Sequence, residues 1–153
     1  MSLKQGLGTF WAKYKWPVIW LVFVAAVVQA SLGRSAPPAK PLGWMTDYAA
    51  AARLAKAKGE PLFVDFDATW CEPCQEMKSE VYSTAKFKAA TQGMVLVEVD
   101  VDANKQLAAE RGVVGIPDVR IYAPDGVQLA SVNSYDGTTD ELYAAILIAS
   151  KAR

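Results

Sequence analysis

Hydrophobic positions along this chain change their period several times, and each change marks a candidate element. "WPVIWLVFVAAVVQASLG", from Trp16 to Gly33, carries no charge and is bracketed by Lys15 and Arg34. The segment is apolar on every side, and its roughly 18 residues reach the lower limit for a helix crossing a ~30 Å hydrocarbon layer. "SLGRSAPPAKPLG", residues 31–43, has prolines and small residues without periodicity, as a spacer would. From Trp44 to Lys58 the alanine-rich pattern predicts a helix, closed by Gly59 and Pro61. "PLFVDFD", Pro61 to Asp67, predicts a short apolar strand, and a helical pattern runs from Cys74 to about Tyr82. A second helical piece follows Ser83 up to Gly93, and the valine-rich "MVLVEVDV", Met94 to Val101, predicts a buried strand. Asp102 is placed to cap a helix through about Arg111, stopped by Gly112. "DVRIYA" and "VQLASV" flank Pro124-Asp125-Gly126, a hairpin signature. Thr138 to Glu141 has capping-box spacing and opens a last helix to about Ser150. The predicted order α-β-α-β-α-β-β-α is an α/β layout with parallel middle strands.

Three segments follow from this pattern. Residues 1–30 form a signal peptide or a signal-anchor helix with its apolar core at 16–30, residues 31–43 a Pro/Ala/Gly-rich linker, and residues 44–153 one globular domain. A cleaved leader would use Val28-Gln29-Ala30 as its small-residue site. Charge supports export in either case. Lys4, Lys13 and Lys15 are the only charges in the first thirty residues and should stay cytoplasmic, which sends the rest across the membrane. The formal net charge of the 153 residues is zero, with no basic excess to suggest nucleic acid. Histidine is absent, which removes the commonest general base and the commonest metal ligand.

The chain's two cysteines, Cys71 and Cys74, are separated only by Glu72 and Pro73. As a staple the pair closes too short a loop to restrict the unfolded chain much. Structural zinc needs about four ligands, mostly cysteine or histidine, so a metal site is not expected, although a two-thiolate copper(I) carrier remains a rival. A redox couple has a mechanism behind it. The pair lies where a strand passes into a helix, so Cys71 would sit at the helix N-terminus, where unsatisfied N–H groups and the macrodipole favour a thiolate. Cys71 is then the attacking group, and Cys74, one turn inside, resolves the mixed disulfide. Pro73 suits a first helical turn, and Glu72 either tempers the thiolate or is merely solvated.

"VDFDATWCEPC" resembles the active-site strand and motif of the thioredoxin superfamily. "GVVGIPDVRIYAPDG", Gly112 to Gly126, resembles the family's second landmark, a proline in the cis form that leads into a hairpin. The spacing of about 46 residues between Cys71 and Pro117 is usual for that fold, and the resemblance covers roughly residues 44 to 150. Within the superfamily, "AKAKGEPLFVDF" and "VEVDVDAN" look like the C-terminal domain of DsbD-type membrane thiol:disulfide interchange proteins. The resemblance implies an α/β thioredoxin fold, a central mixed β-sheet flanked by helices, here preceded by the N-terminal hydrophobic helix. It implies that Asp65 is a buried acceptor for the proton of the resolving cysteine. Trp70 would shield the thiols, and a cis Pro117 with the Ile116 backbone would hold an extended substrate beside Glu72 and Pro73. Two positions depart from the pattern: Asp67 where many thioredoxins have an aromatic residue, and Asp118 where threonine is usual. Both are expected either to make the surface near the thiols more acidic or to be uneventful solvated charges.

The expected function is thiol–disulfide exchange, in the reducing direction, on disulfide-bearing exported proteins in the periplasm or another extracytoplasmic space. Residues 16–33 would tether the domain to the inner membrane unless the leader is cleaved. No nicotinamide- or flavin-binding motif is present, so the Cys71–Cys74 couple is expected to work without a cofactor and to be recharged by a membrane electron-relay protein. A binding module with idle thiols is the rival from another class.

Overall fold

The computed structural model describes residues 43–151, together with Trp20 and Val24. The chain divides into two units, Met1–Pro37 and Pro38–Arg153, and every element below belongs to the second. Trp20 and Val24 are helical and exposed; the rest of the expected leader and nearly all of the expected linker lie outside the described residues. Among the described residues no helix is long and apolar enough to cross a membrane.

Five strands form one mixed sheet in the order β1-β3-β2-β4-β5: β1 (Trp44–Met45), β2 (Leu62–Asp67), β3 (Val95–Asp100), β4 (Asp118–Tyr122) and β5 (Gln128–Val132). The expected parallel middle pair is present, with β3 running parallel to both β1 and β2. β4 pairs antiparallel with β2 and with β5, and the second pairing is the hairpin turned at Pro124–Gly126. Helices α1 (Tyr48–Lys58), α2 (Glu72–Met77), α3 (Ala85–Ala90), α4 (Lys105–Glu110) and α5 (Asp140–Lys151) cover the sheet, with a π-helical turn at Lys78–Tyr82 extending α2.

Strand β2 is buried at all six positions because helices cover both of its faces. Leu62, Val64 and Phe66 pack with Val95, Val97 and Val99 and with Ala51 and Ala55 of α1. Phe63 faces the other way, into a cluster with Met77, Val81, Tyr82, Phe87, Val119, Ile121 and Leu142. Alternation along β2 sends Asp65 and Asp67 to the same side as Phe63, so two carboxyls enter an otherwise apolar layer.

Three expected boundaries need correction. Trp44 and Met45 belong to β1 and not to the first helix. The Trp44 ring packs edge-on to Phe63 and stacks near Phe87, and the helix starts only after Asp47, whose carboxylate accepts from Ala50 N–H at 2.9 Å. Asp102 does not cap α4, which begins after Asn104; its carboxylate is engaged elsewhere, as described below. The Thr138 hydroxyl donates to Asp136 at 2.7 Å, and the last helix begins at Asp140.

Candidate active site

The carboxyl end of β2 runs through buried Ala68 and exposed Thr69 and Trp70 into α2. Cys71 is the N-cap residue of α2, with extended backbone, and Pro73 lies in the first turn where its missing N–H costs nothing. Cys71 and Cys74 are joined as a disulfide, with Cα atoms 5.3 Å apart. The Cys71 Sγ also accepts a hydrogen bond from the Cys74 N–H at 3.3 Å. That donor, at the start of the helix, would stabilise negative charge on Cys71 sulfur once the bond is opened. Both cysteines are buried, in a small cluster with Ala68, Val101 and Ile116.

Around the disulfide the expected residues are divided between contact and exposure. Ile116 packs against the cysteines, and the Ile116–Pro117 peptide is cis, with Pro117 buried. Glu72 is exposed at the helix start and Pro73 half-buried. Trp70 is 67% exposed, so its ring is presented to solvent more than packed away. Its indole Nε1–H donates to Asp102 Oδ2 at 2.7 Å, which is where the expected helix cap is spent. Val114, in the loop before the cis peptide, is completely exposed.

On the face of β2 that bears Phe63 lies a buried group of charges. Asp65 is 1% exposed, and its Oδ1 has no hydrogen-bond partner among the described residues. Burial, reinforced by the charge of Asp67 and opposed by Lys78, pushes the Asp65 carboxyl up to about 8. Asp67 is also buried; its Oδ2 accepts from the Lys78 ammonium, which donates as well to Glu98 Oε1 at 3.1 Å. Burial alone would lower Lys78, but the two carboxylates outweigh it and hold the ammonium above the usual lysine value. Burial and the adjacent Asp65 hold the Tyr82 phenol well above its usual range; its hydroxyl lies 3.4 Å from Met77 Sδ.

Asp67 and Asp118 are therefore neither solvated charges nor part of an acidic surface. Asp118, 2% exposed, is gripped by the Arg120 guanidinium through Nε to Oδ1 at 2.9 Å and Nη2 to Oδ2 at 2.6 Å. Arg120 also donates to the carbonyls of Arg111 and Gly112, tying the end of α4 to the start of β4 across the loop that carries Ile116. Sequence reading missed Lys78, Glu98 and Arg120. The signal for Lys78 was present: it stands four residues after Cys74, on the same side of the helix.

A strand-to-helix disulfide beside a cis proline, following a strand that bears a buried carboxyl, defines a thioredoxin-fold dithiol–disulfide site. The chain belongs to the thioredoxin-like family, whose model matches residues 43–124. It is 32% identical over 80 residues to the thiol:disulfide interchange protein DsbD of Cronobacter sakazakii, a match spanning 50% of this chain and 14% of DsbD. It is 39% identical over 79 residues to a thioredoxin H-type of Chlamydomonas reinhardtii, covering 50% of this chain and 67% of that protein. Among solved structures, a mutant thioredoxin of Halobacterium salinarum is similar at a TM-score of 0.54 and 28% identity, over 78% of this chain and 96% of that one.

Proposed function

We propose that this protein is an extracytoplasmic protein-disulfide reductase that works through Cys71 and Cys74. The observation that carries the proposal is the position of the pair: an N-cap cysteine bonded to a buried partner one turn inside the helix, just after the strand that bears the buried Asp65 carboxyl. In the dithiol form the Cys71 thiolate attacks one sulfur of a client disulfide. The client S–S bond breaks, a Cys71–client disulfide forms, and the first client sulfur leaves as a thiolate. Asp65, when ionised, takes the proton of the Cys74 thiol, and the Cys74 thiolate attacks Cys71 Sγ. The Cys71–Cys74 disulfide closes and the second client thiolate departs to be protonated. The client gains two electrons, and the couple loses two.

Trp70, Ile116 and Pro117 form the client-facing rim in this reading, with Glu72 and Pro73 at its helix edge. The exposed Trp70 ring and the half-buried Ile116 suit an extended, partly apolar segment. The similarity to DsbD and the uncharged segment 16–33 support an extracytoplasmic domain, tethered to the membrane or released after cleavage, and acting on exported clients. Recharging requires a dithiol donor, for which a membrane electron-relay protein is the fitting class. Insulin reduction by the full chain, compared with Cys71→Ser, tests the reading. The wild type should precipitate the insulin B chain with dithiothreitol as donor and the variant should fall to background; equal rates would remove the proposal.

A further inference from the structure

The turn that follows the redox helix is π-helical, and it delivers a lysine to the buried carboxyls of β2 and β3. Cys74, Met77 and Lys78 occupy positions i, i+3 and i+4, which share one side of a helix. Met77 lies in the cluster with Phe63, so this side is laid on the face of β2 that bears Phe63, Asp65 and Asp67. In register with them on β3 stand Leu96, Glu98 and Asp100. Asp65 is therefore faced by Asp67 on its own strand, by Glu98 from β3, and by Lys78 and Tyr82 from the π-helical turn, while Asp100 stands opposite Asp67. From β4 its neighbour is the uncharged Val119. Asp100 is partly engaged locally, its Oδ1 accepting from the N–H groups of Asp102 and Ala103 at 2.8 and 3.0 Å. Lys78 is the only basic residue in that set. Its side chain is 14% exposed, against 3% for Asp67 and 18% for Glu98.

We propose that Lys78 is a positioning residue: by sharing its ammonium between Asp67 and Glu98 it fixes the charge of the buried carboxyl cluster on this face of β2, and so selects Asp65 as the group that exchanges a proton. Three carboxyls around one ammonium cannot all be ionised cheaply at this depth. Two of them, Asp67 and Glu98, accept hydrogen bonds directly from the Lys78 ammonium. The third, Asp65, is 1% exposed, and burial pushes its carboxyl up to about 8, so it keeps the proton at neutral pH and can release it and accept it again. The inference deepens the reaction proposed above, because it names what controls the proton acceptor.

The sign of the effect distinguishes this role from simple packing. In the oxidised full-length chain, the carboxyl carbon signal of Asp65 is followed by NMR as pH is raised. In Lys78→Met the Asp65 midpoint should rise by about one pH unit, a tenfold gain in proton affinity, and in Lys78→Arg it should return near the wild-type value. Asp67→Asn, which keeps the lysine and removes a neighbouring negative charge, should move the midpoint down by about as much. This variant also decides the matter if Lys78→Met does not fold. Midpoints unchanged across the series, or moving the same way in both neutralised variants, would overturn the inference. The rate at which Cys74 resolves a mixed disulfide on Cys71 is measured over the same pH range. If its profile follows the midpoints, both readings hold. If the midpoints move and the profile does not, Lys78 keeps its charge-setting role while Asp65 loses its proposed part in exchange.

Discussion

Asp65 holds a proton at neutral pH because burial, reinforced by the charge of Asp67, outweighs the opposing Lys78 ammonium, and this has a thermodynamic consequence. Its carboxyl ionises near 3.8 when unperturbed and at about 8 in the folded chain. Between those values the folded form binds more protons than the unfolded form, so stability is greatest below the window and is lost as pH rises through it. Urea unfolding of the oxidised chain at pH 5 and pH 8 should show a loss on the order of 3 kcal/mol across the interval, absent or much reduced in Asp65→Asn. An identical slope in both would mean that Asp65 is ionised throughout. At this scale the sequence was readable where a motif fixes position. Cys71, Cys74, Asp65 and Pro117 stand at set distances along one pattern, and the structure places all four at one end of the sheet, buried. It was less readable where burial depends on a partner far along the chain. Asp67 looks solvated until the π-helical turn brings Lys78 onto it, and Asp118 until Arg120 folds back across two residues.

The elements follow the hydrophobic period closely where the run is long. Strands β2 and β3 and the hairpin β4–β5 fall within one or two residues of the expected spans, because valine-rich runs and a Pro-Asp-Gly turn leave few alternatives. Short elements depended on tertiary contacts. β1 is two residues long and exists because Trp44 and Met45 find register with Leu96 and Val97. The helix after Asp102 starts later than its cap signal because the Asp102 carboxylate is taken by the Trp70 indole, a contact across 32 residues.

At the scale of the whole molecule, the described domain carries the disulfide site, and export is an expectation from the sequence of the first 42 residues. The charge pattern Lys4, Lys13, Lys15 followed by an uncharged segment is an argument about orientation that stands on sequence alone. A periplasmic-activity reporter joined after residue 35 should be active in a bacterial host, and a silent but expressed fusion would contradict export. The direction of electron flow is also a property of the whole domain, since it reflects how far the fold stabilises two thiols relative to their disulfide. The helix start favours the Cys71 thiolate, while the buried carboxyls of the same face of the sheet oppose a second negative charge nearby. That balance fits a reductant better than a strong oxidant. The equilibrium reduction potential of the Cys71–Cys74 couple in glutathione buffers tests this most directly. The account predicts a two-electron transition near the thioredoxin value of about −270 mV; a value near −120 mV, or no exchange with glutathione at all, would contradict it.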